Sequence, residues 1–150
     1  MSFRPAVSAR RTRQAKEITG ATYQIRGGDH GKTLMLNRPA GMTLTLPVDT
    51  IFVGFTVKMV VRATFTGTWE VTGQADGDLF FGGVFLSSVA AKSDRFGPNG
   101  SSNDTFKADA DAKGRLSGGF VEFTCMGPNE WLVSGVLAAG GTPATPFADT

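Results

Sequence analysis

Few side chains in this 150-residue sequence could do chemistry. One cysteine, Cys125, and one histidine, His30, exclude disulfide frameworks, cysteine-based zinc sites and any triad that needs a second histidine or a cysteine cluster. Cys125 reads as a core residue and His30 as a turn residue. Glu70, Glu122 and Glu130 could supply a carboxylate pair for glycoside hydrolysis, yet each falls on or beside the polar face of an expected strand, and no spacing brings two together. The inventory of acid, base and nucleophile is thin and unpatterned, so the expectation is a protein that is not an enzyme.

Two segments imitate ligand-binding motifs. Arg26–Thr33, RGGDHGKT, invites comparison with a phosphate-binding loop, but only three residues separate Gly27 from Gly31, and Thr33-Leu-Met-Leu36 reads as a strand, not as the helix that would face an anion. A tight hairpin between the flanking strands is expected there instead. Asp109–Gly114, DADAKG, opens like a calcium loop; Lys113 then occupies a ligand position, and Phe120 stands where the bidentate glutamate belongs. It reads as a solvated charged turn, as does Asp76-Gly-Asp78. No cofactor and no metal site is expected.

Charge is distributed unevenly. The chain carries a net +2, but residues 1–20 hold Arg4, Arg10, Arg11, Arg13 and Lys16 against Glu17 alone, a net +4, which leaves the remainder at −2. Those 20 residues have too few large apolar side chains to build a core, and they read as a basic, extended N-terminal arm. Nucleic acid is not the expected partner: the charge is modest, only Phe3 could stack on a base, and the acidic body would repel a polyanion. Docking on an acidic or strand-edged protein surface fits better, with the arm gaining order as it binds. The sequence has no apolar run of membrane-spanning length and no apolar stretch after the early arginines, so neither a membrane span nor a secretory signal is expected. Synthesis in a cytoplasm is the expectation.

From Ala21 the hydrophobic period becomes two, in short segments rich in β-branched and aromatic residues and separated by Gly, Asn, Asp or Pro. Nine strands are expected, over 22–26, 33–37, 42–46, 54–63, 68–72, 78–86, 105–110, 119–126 and 130–137. In the longest, Phe55, Val57, Met59 and Val61 share one face, with Thr56, Lys58 and Arg62 on the other. Twenty glycines and seven prolines argue against a helical bundle. The pattern predicts an all-β fold, a small antiparallel β-sandwich or barrel-like domain over 21–139. Residues 140–150 read as an extended tail, because Pro143 and Pro146 lack amide donors. The run LFFGGVFL, 79–86, is apolar on both faces. It suits either a doubly covered core strand or a subunit contact through Phe80, Phe81, Val84 and Phe85.

The stretch Tyr23–Pro47, YQIRGGDHGKTLMLNRPAGMTLTLP, resembles a segment that recurs in structural proteins of tailed bacteriophages. Asp29, Gly31, Lys32, Thr33, Leu34, Leu36, Asn37, Ala40, Gly41, Thr43, Thr45, Leu46 and Pro47 carry the likeness, and GTWEVTG and NEWLVSG resemble its aromatic strand ends. A single small β domain with a basic arm is similar to head decoration, or cement, proteins. The resemblance implies a virion component on the capsid surface, commonly a homotrimer, that binds the major capsid protein and stabilises the shell. In that setting Arg4, Arg10, Arg11, Arg13 and Lys16 would meet capsid carboxylates. A tail-associated or receptor-binding module is the alternative, with the Ser93–Thr105 loop as its contact.

Overall fold

The computed structural model describes residues 15–47, 52–73 and 78–149. Among them are twelve strands: β1 (Ala15–Ile18), β2 (Thr22–Gln24), β3 (Thr33–Leu36), β4 (Met42–Thr45), β5 (Thr56–Val61), β6 (Trp69–Thr72), β7 (Leu79–Ser88), β8 (Asp94–Phe96), β9 (Thr105–Ala108), β10 (Leu116–Gly127), β11 (Glu130–Ala139) and β12 (Phe147–Ala148). They form a seven-stranded sheet, β1-β3-β5-β10-β11-β7-β8, and a five-stranded sheet, β12-β9-β6-β4-β2. The fold is all-β and sandwich-like, and each of the nine segments with period-two patterning contains a strand.

The sheets are mixed, which corrects the antiparallel expectation. The first six strands alternate between the two sheets, so strands two apart become neighbours and run the same way. β1 with β3, β3 with β5, β2 with β4 and β4 with β6 are all parallel. The second half adds antiparallel pairs, among them β10 with β5 and β11 and β9 with β6. The hairpin expected between β2 and β3 is therefore absent. A 3-10 turn over Gly27–Asp29 carries the chain from one sheet to the other: Ile25 still donates to Thr45 O of the small sheet, whereas Gly31 donates to Thr56 O of the large one.

Alternation places one face of every long strand in a shared core. Val57, Met59 and Val61 of β5, Val121 and Phe123 of β10, and Trp131 and Val133 of β11 are buried beneath the large sheet. Leu44, Trp69, Val71 and Phe106 meet them from the small one. Phe106 and Phe123 touch edge to face across the gap, with centroids 6.4 Å apart. Trp69 satisfies its indole N–H by donating to Gly114 O at 3.2 Å, so its burial leaves no donor unpaired. Each such side chain contributes about 1.5–3 kcal/mol of hydrophobic stabilisation.

Both ends of the described chain are stitched into the sheets. Ala15–Ile18, inside the segment read as an arm, is an edge strand paired with β3, and Ile18 is buried in the core. The tail read as extended forms β12 against β9 and buries Phe147. Its prolines permit this because an edge strand needs only some of its amides: Pro146 serves through its carbonyl, which accepts from Lys107 at 2.7 Å.

Candidate functional site

The segment that carries the resemblance forms a polar knot where β1, β2 and the 3-10 turn meet. Asp29 is buried, and its carboxylate accepts the Tyr23 hydroxyl at 3.0 Å and the Arg26 amide at 3.1 Å. Lys32 lies 3.6 Å away, and Lys16 donates to the Tyr23 oxygen at 3.1 Å while lying over its ring. Burial, reinforced by Asp29, raises the Tyr23 hydroxyl above its ordinary value against the opposing bond from Lys16; Lys16 itself is raised, chiefly by that hydrogen bond. A phenol so held keeps its proton. The knot locks the passage between sheets, and nothing in it is arranged to move a proton.

The carboxylates do not converge. Glu70 faces outward on β6, where Thr43 donates to it at 3.1 Å, while Glu122 faces outward on the opposite sheet. Glu130 lies four residues along β11 from the partner of Glu122, Ser134, or about 14 Å at the strand rise. That exceeds the separation of a glycosidase pair. The cleft beside Glu122, between Lys32 and Lys58, holds about 120 Å³, well below the ~300 Å³ at which small-molecule sites begin. Asp109 bonds Lys113 at 2.9 Å, which lowers its carboxyl below the usual value, and Asp111 bonds Arg115 at 2.9 Å. Among the described residues no three His, Cys, Asp or Glu side chains gather to hold a metal ion, and no helix is long and apolar enough to cross a membrane. Cys125 is buried, and His30 ends the 3-10 turn, its Nδ1 accepting the Thr56 amide at 3.2 Å.

The residues expected to make contacts separate into distinct places. Arg4, Arg10, Arg11 and Arg13 lie outside the described residues, whereas Lys16 belongs to β1 and is tied to Tyr23. Within β7, Phe80 and Val84 point inward and are buried, which corrects their assignment to a subunit contact. Phe81 and Phe85 point outward. The Ser93–Thr105 loop contains β8 and a closed network: Asn99 Oδ1 accepts the amides of Ser101, Ser102 and Asn103, and Asp149 accepts from Ser102 and Asn103.

Phe81 and Phe85 belong to a larger surface. Phe85, Phe120, Met126, Leu132 and Val136 are five of the eight exposed large apolar side chains among the described residues, and all five face outward from the large sheet. Sequence reasoning assigns polar residues to that face. The readable sign is Val60, an apolar residue between Lys58 and Arg62 on the wet side of β5. Compared with models of known protein families and with curated protein sequences, the chain matches none.

Proposed function

We propose that this protein is a structural component of a tailed-bacteriophage virion, a head decoration protein that binds the outside of the assembled shell and has no catalytic role. Its partner is the major capsid protein, and its place is the capsid surface. The observation that carries the reading is the junction of two unlike parts. Arg4, Arg10, Arg11 and Arg13, with no acidic residue among the first 14, directly precede β1, the outermost strand of a rigid all-β body whose remaining charge is acidic. The likeness of Tyr23–Pro47 to phage structural proteins gives the setting.

The physical mechanism is linkage. A protein that binds the assembled lattice and not its dissociated subunits stabilises the lattice by mass action. A basic leader paired with capsid carboxylates adds contacts to the footprint of the body and raises its effective concentration there. The trimer comes from the resemblance alone, and nothing among the described residues specifies that number.

Co-sedimentation of the full chain with purified expanded heads of the phage that encodes it tests the reading. The triple change Arg10→Glu, Arg11→Glu, Arg13→Glu lies ahead of β1 in the sequence and is expected to cut occupancy at least tenfold. Wild-type attachment should also weaken as salt rises, because exposed ion pairs are screened. Equal occupancy by wild type and variant, or no attachment by either, refutes the proposal. A deletion used for the same purpose should stop at residue 14, since β1 and Ile18 belong to the fold.

A further inference from the structure

We propose that the outward face of the seven-stranded sheet binds a second copy of this chain, the two copies stacked sheet to sheet about a two-fold axis that runs along β10. One row of directly paired residues crosses all seven strands on that face: Glu17, Met35, Val60, Phe120, Val136, Phe85 and Arg95. Phe120 is the midpoint. Equidistant from it stand two valines, then Met35 and Phe85, then an acid and a base.

A two-fold axis along the central strand lays this row on its own reverse, as an isologous contact requires. Phe120 then meets Phe120, Val60 meets Val136, Met35 meets Phe85, and Glu17 at each end meets Arg95 of the other copy. An axis across the strands would instead stack Glu17 on Glu17 and Arg95 on Arg95. In the neighbouring row the same operator sets Glu122 on Glu122, a like-charge contact that the basic side chains beside it must offset. Lys58, Glu122 and Ser134 are paired there, so the two Glu122 carboxylates near the axis are flanked by both Lys58 ammonium groups.

The size is adequate. Six inter-strand steps of ~4.8 Å make the row about 29 Å long. Three outward rows then give roughly 600 Å² of projected area per copy, near the ~800 Å² of accessible surface that a standard interface buries on each side. A matched order of size and charge about one strand is what a second copy needs, and an unrelated partner imposes no such symmetry. This inference needs no capsid and stands apart from the decoration reading. Its pair also differs from the trimer that the resemblance implies.

Sedimentation velocity of the full chain, from micromolar to millimolar, is expected to show reversible association from 15.8 kDa to twice that mass. Val136→Lys places a charge at an outward position and is expected to leave a monomer with an unchanged circular dichroism spectrum. Glu17→Arg and Arg95→Glu should each weaken pairing about tenfold, and the double swap should restore it, because the two charges face each other only across the axis. Both positions are exposed, so this cycle carries the test even where Val136→Lys fails to fold. A chain monomeric throughout, a trimer, a pair that survives Val136→Lys with the fold intact, or a charge swap whose effects simply add would overturn the inference.

Discussion

The hydroxyl of Tyr23 donates to the carboxylate of Asp29, 3.0 Å from either oxygen, and joins strand β2 to the turn that leaves its sheet. Asp29 is 4% exposed, so its charge relies on protein donors where water cannot reach. Tyr23→Phe removes one of them and leaves the Arg26 amide and Lys32 in place. A hydrogen bond to a charged group contributes about 1.5–3 kcal/mol, and chemical denaturation should show a loss in that range. Lys16→Met, on the exposed side of the same hydroxyl, should cost less than Tyr23→Phe, because solvent screens that contact. Equal stability of Tyr23→Phe and wild type would show that the bond contributes nothing.

The same hydroxyl predicts a stability change in alkali. Burial, with Asp29 beside it, raises Tyr23 above 10.0, and the bond to Tyr23 raises Lys16 above 10.5. The folded protein thus holds both protons more tightly than the unfolded chain does. Their stabilisation is fully present below the unfolded values and is lost as pH climbs through the folded ones. Urea midpoints measured below 10.0 and above 10.5 should fall more steeply for wild type than for Tyr23→Phe, which lacks the titrating hydroxyl and the partner of Lys16. Parallel slopes would remove the knot from the alkaline response.

Adjacent phenylalanines of β7 should respond in opposite ways. Phe80 is fully buried and meets Phe123 with centroids 5.5 Å apart, whereas Phe81 faces outward. Phe80→Ala should cost about 3–5 kcal/mol, the usual loss for a core phenylalanine. Phe81→Ala should cost below about 1 kcal/mol, because the site is solvated on one side. Thermal melts of the two variants decide which face of LFFGGVFL is core.

Both the strands and the ambiguity of that run were legible in the amino-acid pattern, for one physical reason. Alternation reports that a residue pair faces opposite ways; where one face is polar, as in Thr56–Val61, the core side is evident. Where both faces are apolar, as in 79–86, the pattern holds no sign of which side is inside, so Phe80 and Val84 could not be told from Phe81 and Phe85. Alternation is equally silent on direction. Parallel and antiparallel ladders share the same period, and the crossing from β2 to β3 therefore reads as a hairpin in sequence. The three short strands leave no such pattern, because each offers at most one large apolar anchor, Ile18, Phe96 or Phe147, too few to make a period. The outward row through Phe120 becomes visible only in register, since its members are up to 119 positions apart in sequence.

Phe147 supplies the last test, because a tail of small residues and prolines would not be expected to hold a sheet edge. Its ring is 7% exposed and meets Phe106 edge to face, with centroids 5.5 Å apart. Around it, Lys107 donates to Pro146 O and Asp104 to Ala148 O, while Asp149 accepts from Ser102 and Asn103. Phe147→Ala removes the anchor and leaves the polar links in place, at a cost near 3 kcal/mol, the lower end for a buried phenylalanine because the site borders solvent. Asp149→Ala leaves the ring and unties the 99–103 network, so it should alter local exchange more than global stability. Amide hydrogen exchange separates the two: Phe147→Ala should speed exchange at Lys107 and Asp104 together, and Asp149→Ala should speed it at Ser101, Ser102 and Asn103. Unchanged exchange at Lys107 in Phe147→Ala would mean that β12 is held by its hydrogen bonds alone.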